Sequence, residues 1–242
     1  QIDFKNLTFE YEPMNPVLEN VSFTIHPGET LAIVGPTGSG KSTLIKLLGR
    51  FYDYENGQIY LDGVDLNEIA SHDLRLRVGV VLQDFHIFSG TIYDNIALGK
   101  PQITHTQVIE AAKTVSAHEF ITSLPNKYDT IISERGQNLS QGQRQLLAFA
   151  RVVLANPEIL VLDEATASID TETELLIQDA LRQTTAGRTS IIIAHRLQTI
   201  QEADRVIVLN QGKIEEMGTH QQLLANKGMY YELHSLQFKS QN

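Results

Sequence analysis

The sequence predicts an α/β fold with a mostly parallel sheet, an N-terminal antiparallel β part and a helical insert. Three observations support this prediction. Strand-like and amphipathic segments alternate with short connections. A glycine-rich turn joins an apolar segment to an amphipathic one, and strand patterns disappear from about Thr91 to Ala155. Because 42% of the 242 residues are hydrophobic and 20% are charged, the composition is that of a globular protein.

Short strands dominate the first third of the chain. They alternate apolar and polar residues or are rich in β-formers, and a turn at Asp62-Gly63 indicates an edge hairpin. The last of these strands, Val78–Leu82, is continuously apolar, as expected of a strand buried on both faces. The predicted strands are Ile2–Phe9, Val21–Ile25, Glu29–Val34, Gln58–Leu61 and Val78–Leu82.

The middle of the chain reads as helices and the last third as alternating strands and helices. The predicted helices of the insert are Thr104–Val115, Ala117–Leu124 and Gln141–Ala155, the last ended by Asn156-Pro157. Strands follow at Ile159–Leu162, Thr189–Ala194 and Arg205–Leu209, with helices near Glu172–Arg182 and Leu197–Glu202 between them. We therefore expect an α/β core over 1–83 and 157–242 and a helical subdomain over 84–156, with right-handed crossovers between parallel strands.

Composition excludes several classes of function. The 19 Lys+Arg and 29 Asp+Glu give 19 − 29 = −10 and a pI near 5.2, which argues against a general nucleic-acid or anionic-membrane binder. The absence of cysteine excludes disulfides, thiolate catalysis and Cys-type zinc sites. The longest purely apolar run is the five residues Leu146 to Ala150, far below the ~20 of a membrane-spanning helix. The start at Gln1, without Met or a signal-peptide pattern, suggests an excised fragment.

The glycine-rich turn has the spacing of a phosphate-binding loop, G-x-x-x-x-G-K-[ST]. It runs Gly35-Pro36-Thr37-Gly38-Ser39-Gly40-Lys41-Ser42, followed by Thr43. Glycines let backbone N–H groups converge on phosphate oxygens, and the following helix adds the positive end of its dipole. Lys41 supplies a positive charge for the β- and γ-phosphates, and Ser42 offers a hydroxyl to Mg²⁺. The alternative is a strand–helix turn without a ligand.

Acidic residues and a histidine follow two predicted core strands. Asp163 and Glu164 end the apolar segment Ile159–Leu162, and His195 follows Ile191–Ala194. In parallel sheets these ends meet at one edge, where ligands bind. Asp163 is the expected magnesium residue, Glu164 the general base for the attacking water, and His195 a donor to a γ-phosphate. Taken alone, each of these patterns also fits an ordinary strand end.

A second helix start carries no phosphate motif of its own. Ser140 and Gln143 have the spacing of a capping box before Gln141–Ala155, and Gly142 lies between them. A serine and a glycine at a helix start can also receive an anion. On spacing alone, a well-capped helix is the better interpretation.

Together these motifs give the chain a family resemblance. The loop at 35–42, Gln83, Leu139–Gln143, Asp163-Glu164, Ser168-Ile169-Asp170 and His195 occur in the order seen in ATP-binding cassette proteins. The chain resembles the nucleotide-binding domain of an ABC transporter over essentially its whole length. The resemblance implies a P-loop NTPase core, ATP and Mg²⁺ as cofactors, and ATP hydrolysis coupled to transport. It also implies a head-to-tail dimer with a second nucleotide-binding domain, in which Ser140, Gly142 and Gln143 of one copy contact the γ-phosphate held by the other.

The remaining roles also follow from the resemblance. Tyr11 is similar to the aromatic that stacks on adenine, although an ordinary strand aromatic is the alternative. Gln83 resembles the residue that contacts Mg²⁺ and the attacking water, and Asp170 the acid that acts across the dimer. Glu134-Arg135-Gly136 and the stretch Phe88–Ile92 with Asp94–Ile96 look exporter-like. An exporter half would have transmembrane helices ahead of Gln1 and would place this domain at the cytoplasmic face of the membrane.

Two rival functions remain open. A soluble ABC ATPase of DNA repair or translation is disfavoured, because 163 − 41 = 122 positions from Lys41 to Asp163 leave no room for a long coiled-coil insertion. A weakly hydrolysing regulatory half of a heterodimeric exporter is disfavoured by the presence of Glu164 and His195. Leu139–Gln143, in the helical insert, resembles the signature motif of the family. The commonest signature has Gly where this chain has Gln141, and this difference keeps a heterodimer open.

Overall fold

A computed structural model describes residues 1–55, 57–82, 86–133, 136–164 and 171–238. The chain divides into two compact units. The first comprises Gln1–Val80, Glu158–Glu164 and Gly187–Asn242, and the second comprises Val81–Pro157 and Ala165–Ala186. Within the described part of the chain, no helix has both the length and the apolar composition needed to cross a bilayer.

The first unit opens with an antiparallel sheet, as predicted. Its strands are β1 (Ile2–Glu12), β2 (Asn15–Ile25), β4 (Ile59–Leu61) and β5 (Val64–Asp65), in the order β2-β1-β4-β5. Alternate side chains of β1 are buried, and Phe4 stacks on Phe23 of β2 with ring centroids 4.4 Å apart. The predicted Asp62-Gly63 hairpin joins β4 to β5, and both residues have the positive φ that a tight two-residue hairpin turn requires.

A six-stranded sheet forms the centre of the first unit. Its order is β12-β11-β3-β10-β9-β6, formed by β3 (Thr30–Val34), β6 (Val78–Val81), β9 (Ile159–Asp163), β10 (Thr189–Ile193), β11 (Arg205–Asn210) and β12 (Lys213–Gly218). Strands β3, β9, β10 and β11 pair in parallel, and β12 pairs antiparallel to β11. The predicted α/β class with a mostly parallel sheet is therefore confirmed.

The register of the parallel strands brings their carboxyl ends together. Ile193 of β10 lies opposite both Asp163 of β9 and Ile33 of β3. Every residue of β9 and β10 is buried, which explains why Ile159–Leu162 and Ile191–Ile193 are apolar without alternation. The segments that start at Gly35, Glu164 and Ala194 consequently leave the sheet at one edge.

The helices of the first unit lie between and after these strands along the chain. They are α1 (Lys41–Leu48), α2 (Ser71–Arg77), α8 (Leu197–Glu202), α9 (His220–Asn226) and α10 (Met229–Phe238), with a short 3₁₀ helix at Leu66–Glu68. Helix α8 has the bounds that the sequence predicts. Helices α2 and α9 and strand β12, of six or seven residues each, were not predicted, because such short segments show too few repeats for a period to be read. Helix α10, with ten residues, was not predicted either.

The second unit is mainly helical. It contains α3 (Ile92–Ala97), α4 (His105–Thr114), α5 (His118–Ser123), α6 (Gln141–Ala155) and α7 (Thr171–Thr185), with a 3₁₀ helix at Lys127–Asp129. It also contains a two-residue strand pair, β7 (Gly90–Thr91) with β8 (Ile131–Ile132), where the sequence shows no strand pattern. Helix α7 groups with this unit, whereas the sequence-based scheme assigns it to the core. The boundaries 1–83, 84–156 and 157–242 stay a prediction.

Candidate functional site

The predicted phosphate loop connects β3 to α1 and depends on glycine at two positions. Gly35 has φ +151°, and a Cβ there would lie 2.0 Å from the Leu209 carbonyl oxygen. Gly40 has φ +102°, and a Cβ there would lie 2.7 Å from Leu18 Cδ2 and 2.9 Å from the Val17 carbonyl oxygen. The loop therefore packs so closely against neighbouring backbone that a side chain at either position does not fit.

Lys41 bridges the loop from its carboxyl end. Its Nζ donates to the carbonyl oxygens of Gly35 at 2.9 Å and Pro36 at 2.8 Å. The side chain is buried, and burial lowers the pKa of Lys41 while the neighbouring Asp163 opposes that shift. A cation held in a partly desolvated loop interacts strongly with an incoming anion, as a phosphate-binding lysine requires.

Ser42 and Asp163 join the loop to the end of β9. Ser42 Oγ donates to Asp163 Oδ2 at 3.1 Å, although 121 positions separate the two residues. Burial raises the pKa of Asp163, whereas the Ser42 hydrogen bond, the neighbouring His195 imidazole and the charge of Lys41 lower it. A hydroxyl beside a carboxylate is the hard-oxygen pair that suits Mg²⁺, which usually keeps several of its waters. Among the described residues, no group of three or more His, Cys, Asp or Glu side chains forms a metal cluster.

Ser39 is a buried polar residue that a ligand would satisfy. Its hydroxyl is almost completely inaccessible and has no hydrogen-bond partner in the described part of the chain. Its backbone is held on both sides, since its N–H donates to the Pro36 carbonyl at 3.2 Å and its carbonyl accepts from the Gly212 N–H at 3.1 Å. An unsatisfied hydroxyl inside a rigid glycine loop fits an anion that binds there.

Tyr11 lies beside the start of α1 and exposes part of its ring. Its hydroxyl shares a 3.1 Å hydrogen bond with Thr43 Oγ1, and 45% of the residue is exposed. Phe9 and Tyr52 each meet the ring edge-on, with centroids 5.0 Å away. Tyr52 was missed in the sequence, because no local pattern joins it to Tyr11. The arrangement fixes the plane of the Tyr11 ring, which suits a stacking role.

Glu164 is held by the segment that follows β10. Its carboxylate accepts from the backbone N–H groups of His195 at 3.0 Å and Arg196 at 3.2 Å and from Thr199 Oγ1 at 3.0 Å. The Arg196 Nε lies 3.5 Å from the same carboxylate. Burial raises the pKa of Glu164, and these partners oppose the increase. The sequence indicates the position of Glu164 at the strand end but not these contacts.

His195 lies at the same edge of the sheet, directly after Ala194. Burial lowers the pKa of its imidazole, and the positive charge of Lys41 lowers it further, while Asp163 acts in the opposite direction. A lowered pKa favours the neutral imidazole, which has one donor and one acceptor nitrogen. A neutral ring suits a hydrogen bond to a phosphate.

In the second unit, the predicted capping box at the start of α6 is present. Ser140 Oγ accepts from the Gln143 N–H at 3.1 Å, and Gln143 Oε1 accepts from the Ser140 N–H at 3.0 Å. Gly142, in the first turn, is buried. The assignments to Gln83, Glu134, Arg135 and Ser168–Asp170 lie outside the described residues.

Arg151 and Asn95 form a polar network in this unit that the sequence does not predict. Arg151 of α6 donates to the Asn95 carbonyl at 2.6 Å and to Asn95 Oδ1 at 2.7 Å. Asn95 in turn exchanges hydrogen bonds of 2.9 Å with the backbone N–H and carbonyl of Phe88. Burial lowers the pKa of Arg151 to about 10. The network joins the helix that starts at Ser140 to the 88–95 segment.

Known proteins similar to this chain are transporters. A fatty acid ABC transporter ATP-binding/permease protein of Mycobacterium bovis is 47% identical over 96% of this chain and 37% of its own length. An ATP-dependent lipid A-core flippase of Syntrophus aciditrophicus is 48% identical over 99% of this chain and 40% of its own length. A putative multidrug export ATP-binding/permease protein of Staphylococcus aureus is 47% identical over 98% of this chain and 41% of its own length. The chain thus spans about two fifths of the length of these relatives.

A solved structure and a family model agree with these relatives. The structure of a bacterial Atm1-family ABC exporter with ATP bound superposes with a TM-score of 0.91 and 43% identity, over 98% of this chain and 41% of that one. The model of the ABC transporter family matches residues 18–167, which include the phosphate loop, the capped start of α6 and the Asp163-Glu164 pair. With its fold, its phosphate loop and these matches in agreement, the chain belongs to the ABC transporter family.

Proposed function

We propose that the chain is the ATP-binding and ATP-hydrolysing motor domain of an ABC exporter. The observation that carries the proposal is the Ser42–Asp163 hydrogen bond, which joins the phosphate loop to the acidic end of β9 within one compact unit. The relatives named above are ATP-binding/permease proteins or a flippase, and the solved neighbour is an exporter with ATP bound.

Each predicted site residue has a defined task in this proposal. Backbone N–H groups of the loop Gly35–Ser42, Pro36 excepted, and the Lys41 ammonium hold the phosphates, with Thr43 at the start of α1. Tyr11 stacks on the base. Ser42 and Asp163, with Gln83, are the residues that would hold Mg²⁺, which when bound supplies positive charge beside the transferred phosphoryl group. Glu164 takes a proton from water, and His195 donates to the γ-phosphate.

The proposal requires a second nucleotide-binding domain. Ser140, Gly142 and Gln143 of one copy approach the phosphate held by the other, and Asp170 acts between the copies. ATP can drive closure only if it binds the closed dimer more tightly than the open state. We further propose that the motion is passed to a transmembrane domain that lies upstream in a longer protein, at the cytoplasmic face of a membrane.

The transported substrate is not assigned by this domain. The three relatives have nearly equal identity to the chain, yet their names refer to a fatty acid, lipid A-core and multidrug export. In the proposed motor, the transmembrane domain selects the substrate. The alternative, a regulatory ATP-binding half of a heterodimeric exporter, shares the same loop and differs in its rate of hydrolysis.

Glu164→Gln tests this function. The variant is expected to bind ATP with Mg²⁺ at wild-type affinity, to lose nearly all turnover and to elute as an ATP-dependent dimer in size-exclusion chromatography. Lys41→Ala is the matched control, because it is expected to weaken ATP binding itself. Wild-type turnover by Glu164→Gln would contradict the general-base role, and unchanged ATP affinity of Lys41→Ala would contradict the loop assignment. Negligible hydrolysis by the wild-type chain would instead favour the regulatory alternative.

A further inference from the structure

The carboxylate of Glu164 has polar partners on both of its oxygens. Oε2 accepts from the backbone N–H groups of His195 and Arg196, at 3.0 and 3.2 Å. Oε1 accepts from Thr199 Oγ1 at 3.0 Å and lies 3.5 Å from Arg196 Nε. The Glu164 side chain is only 4% exposed, and Thr199 is 3% exposed. The carboxylate is thus enclosed by the 195–199 segment.

This enclosure is incompatible with the work of a general base. A carboxylate offers about four lone-pair directions, two on each oxygen. A base must give one of them to the attacking water at a distance of about 2.6–3.2 Å. Here Oε2 already accepts two hydrogen bonds, Oε1 accepts one from Thr199 with the Arg196 guanidinium beside it, and solvent barely reaches the side chain. A donor has to withdraw before water can take its place, so the observed orientation is a resting one.

We propose that Thr199 is a positioning residue that holds Glu164 in this resting orientation, and that hydrolysis begins when the Glu164–Thr199 hydrogen bond opens. The inference rests on the proposed function, in which Glu164 is the base. Of the contacts given above, two come from backbone N–H groups that cannot rotate away, and the Arg196 ion pair is long. The Thr199 bond is the short contact made by a side chain, and a hydroxyl can exchange its acceptor by rotation.

The same segment connects this bond to the phosphate site. His195 contributes its backbone N–H to Glu164, and its imidazole interacts electrostatically with Lys41 and Asp163. Thr199 follows in α8, the short helix that begins at Leu197. A shift of His195 toward a bound phosphate would therefore move the donors that enclose Glu164. In this way occupancy of the loop would release the base.

Thr199→Val tests the inference, since it replaces the hydroxyl with a methyl group of similar size. Steady-state ATP turnover of the 242-residue chain is measured against ATP concentration. Because a hydrogen bond to a charged group is removed from the resting state alone, we expect kcat to rise by about tenfold with KM for ATP within about twofold of wild type. An unchanged or lower kcat would overturn the inference, since a residue that holds Glu164 in its working orientation would slow turnover when removed.

Thr199→Ser is the matched control. Because it keeps the hydroxyl, its kcat is expected to equal that of the wild type. A purely structural role of Thr199 would lower the unfolding temperature without raising kcat. If Thr199→Val does not fold, Thr199→Ala decides in its place, because it also removes the hydroxyl: a rise in kcat supports the inference, whereas an unchanged or lower kcat overturns it.

Glu164→Gln distinguishes a failure of the proposed function from a failure of the Thr199 inference. If Glu164→Gln alone hydrolyses ATP at the wild-type rate, the proposed function fails. If Glu164→Gln is inactive and Thr199→Val is no faster than wild type, only the present inference fails. In the double variant, the gain produced by Thr199→Val must disappear, because it acts through the Glu164 carboxylate.

Discussion

Gly35→Ala should be far more damaging than Gly38→Ala, although both glycines lie in the same loop. A Cβ at Gly35 would lie 2.0 Å from the Leu209 carbonyl oxygen and 3.1 Å from its carbonyl carbon, and φ there is +151°. A Cβ at Gly38 meets no atom within 4 Å, and its φ is +81°. The pair therefore separates a steric clash with backbone from an unfavourable backbone angle alone.

The magnitude follows from what Leu209 is attached to. It lies in β11, which pairs with β3 on one side and with β12 on the other, where Leu209 faces Ile214. Its carbonyl cannot retreat by the ångström or more that a methyl group needs without disturbing the sheet. Overpacking costs about 1–3 kcal/mol and a strained backbone a similar amount, so Gly35→Ala should lose about 2–6 kcal/mol of unfolding free energy. Gly38→Ala should lose only about 1–2 kcal/mol.

Urea denaturation followed by circular dichroism measures both losses, and titration with a fluorescent ATP analogue measures nucleotide binding. We expect Gly35→Ala to have the lower midpoint and to lose nucleotide binding, while Gly38→Ala stays folded. Equal losses in the two variants would refute the reasoning, because the close approach of the Leu209 carbonyl would then have no consequence.

Three further results are expected. Tyr11→Ala should weaken ATP binding by roughly 5–150-fold in a fluorescence titration, because stacking on one base is worth about 1–3 kcal/mol. Tyr11→Phe keeps the ring, and its affinity should stay close to that of the wild type. An affinity of Tyr11→Ala equal to that of the wild type would argue against stacking. Asn95→Leu should lower the unfolding free energy by about 3 kcal/mol or more in urea, because Asn95 is buried and its side chain bonds Arg151 and the backbone N–H and carbonyl of Phe88, all of which lose a partner. A loss below about 1 kcal/mol would contradict this. Burial, and then the charge of His234, lowers the pKa of His220 below its ordinary 6.5. Because the unfolded chain therefore binds the proton at a higher pH than the folded chain, the free energy of unfolding should fall as pH drops from 6.5 through the folded pKa. In a series of urea midpoints measured against pH, His220→Gln should flatten that fall.

The sequence predicted elements well where a pattern lies within one segment. Helix α8 and the Asp62-Gly63 hairpin occur as expected, and the capping box at Ser140 and Gln143 is formed. Prediction from the sequence failed where an element is too short to show a period. Strands β7 and β8 are examples, because they are strands only through their pairing with each other. Their conformation depends on a partner about 40 positions away, and local propensity carries no information about it.

The candidate site shows the same division. Spacing alone located Gly35–Ser42, and the apolar run before Asp163 placed the acids at a strand end. The edge-on contact between Tyr11 and Tyr52 and the enclosure of Glu164 by Thr199 were not foreseen, because each joins residues that are distant in sequence. Such contacts depend on strand order and register, which a single chain of letters does not state.

By itself, then, the sequence determined the class of fold, the position of the glycine-rich loop and the family, because these depend on local spacing: glycines that admit unusual backbone angles, and apolar runs that end in acids. Only the tertiary structure decided that Ser42 meets Asp163 across 121 positions and that both oxygens of Glu164 are bound by the 195–199 segment. The physical reason is that hydrogen bonds act over about 3 Å, so partners are chosen by how the sheet brings its strand ends together.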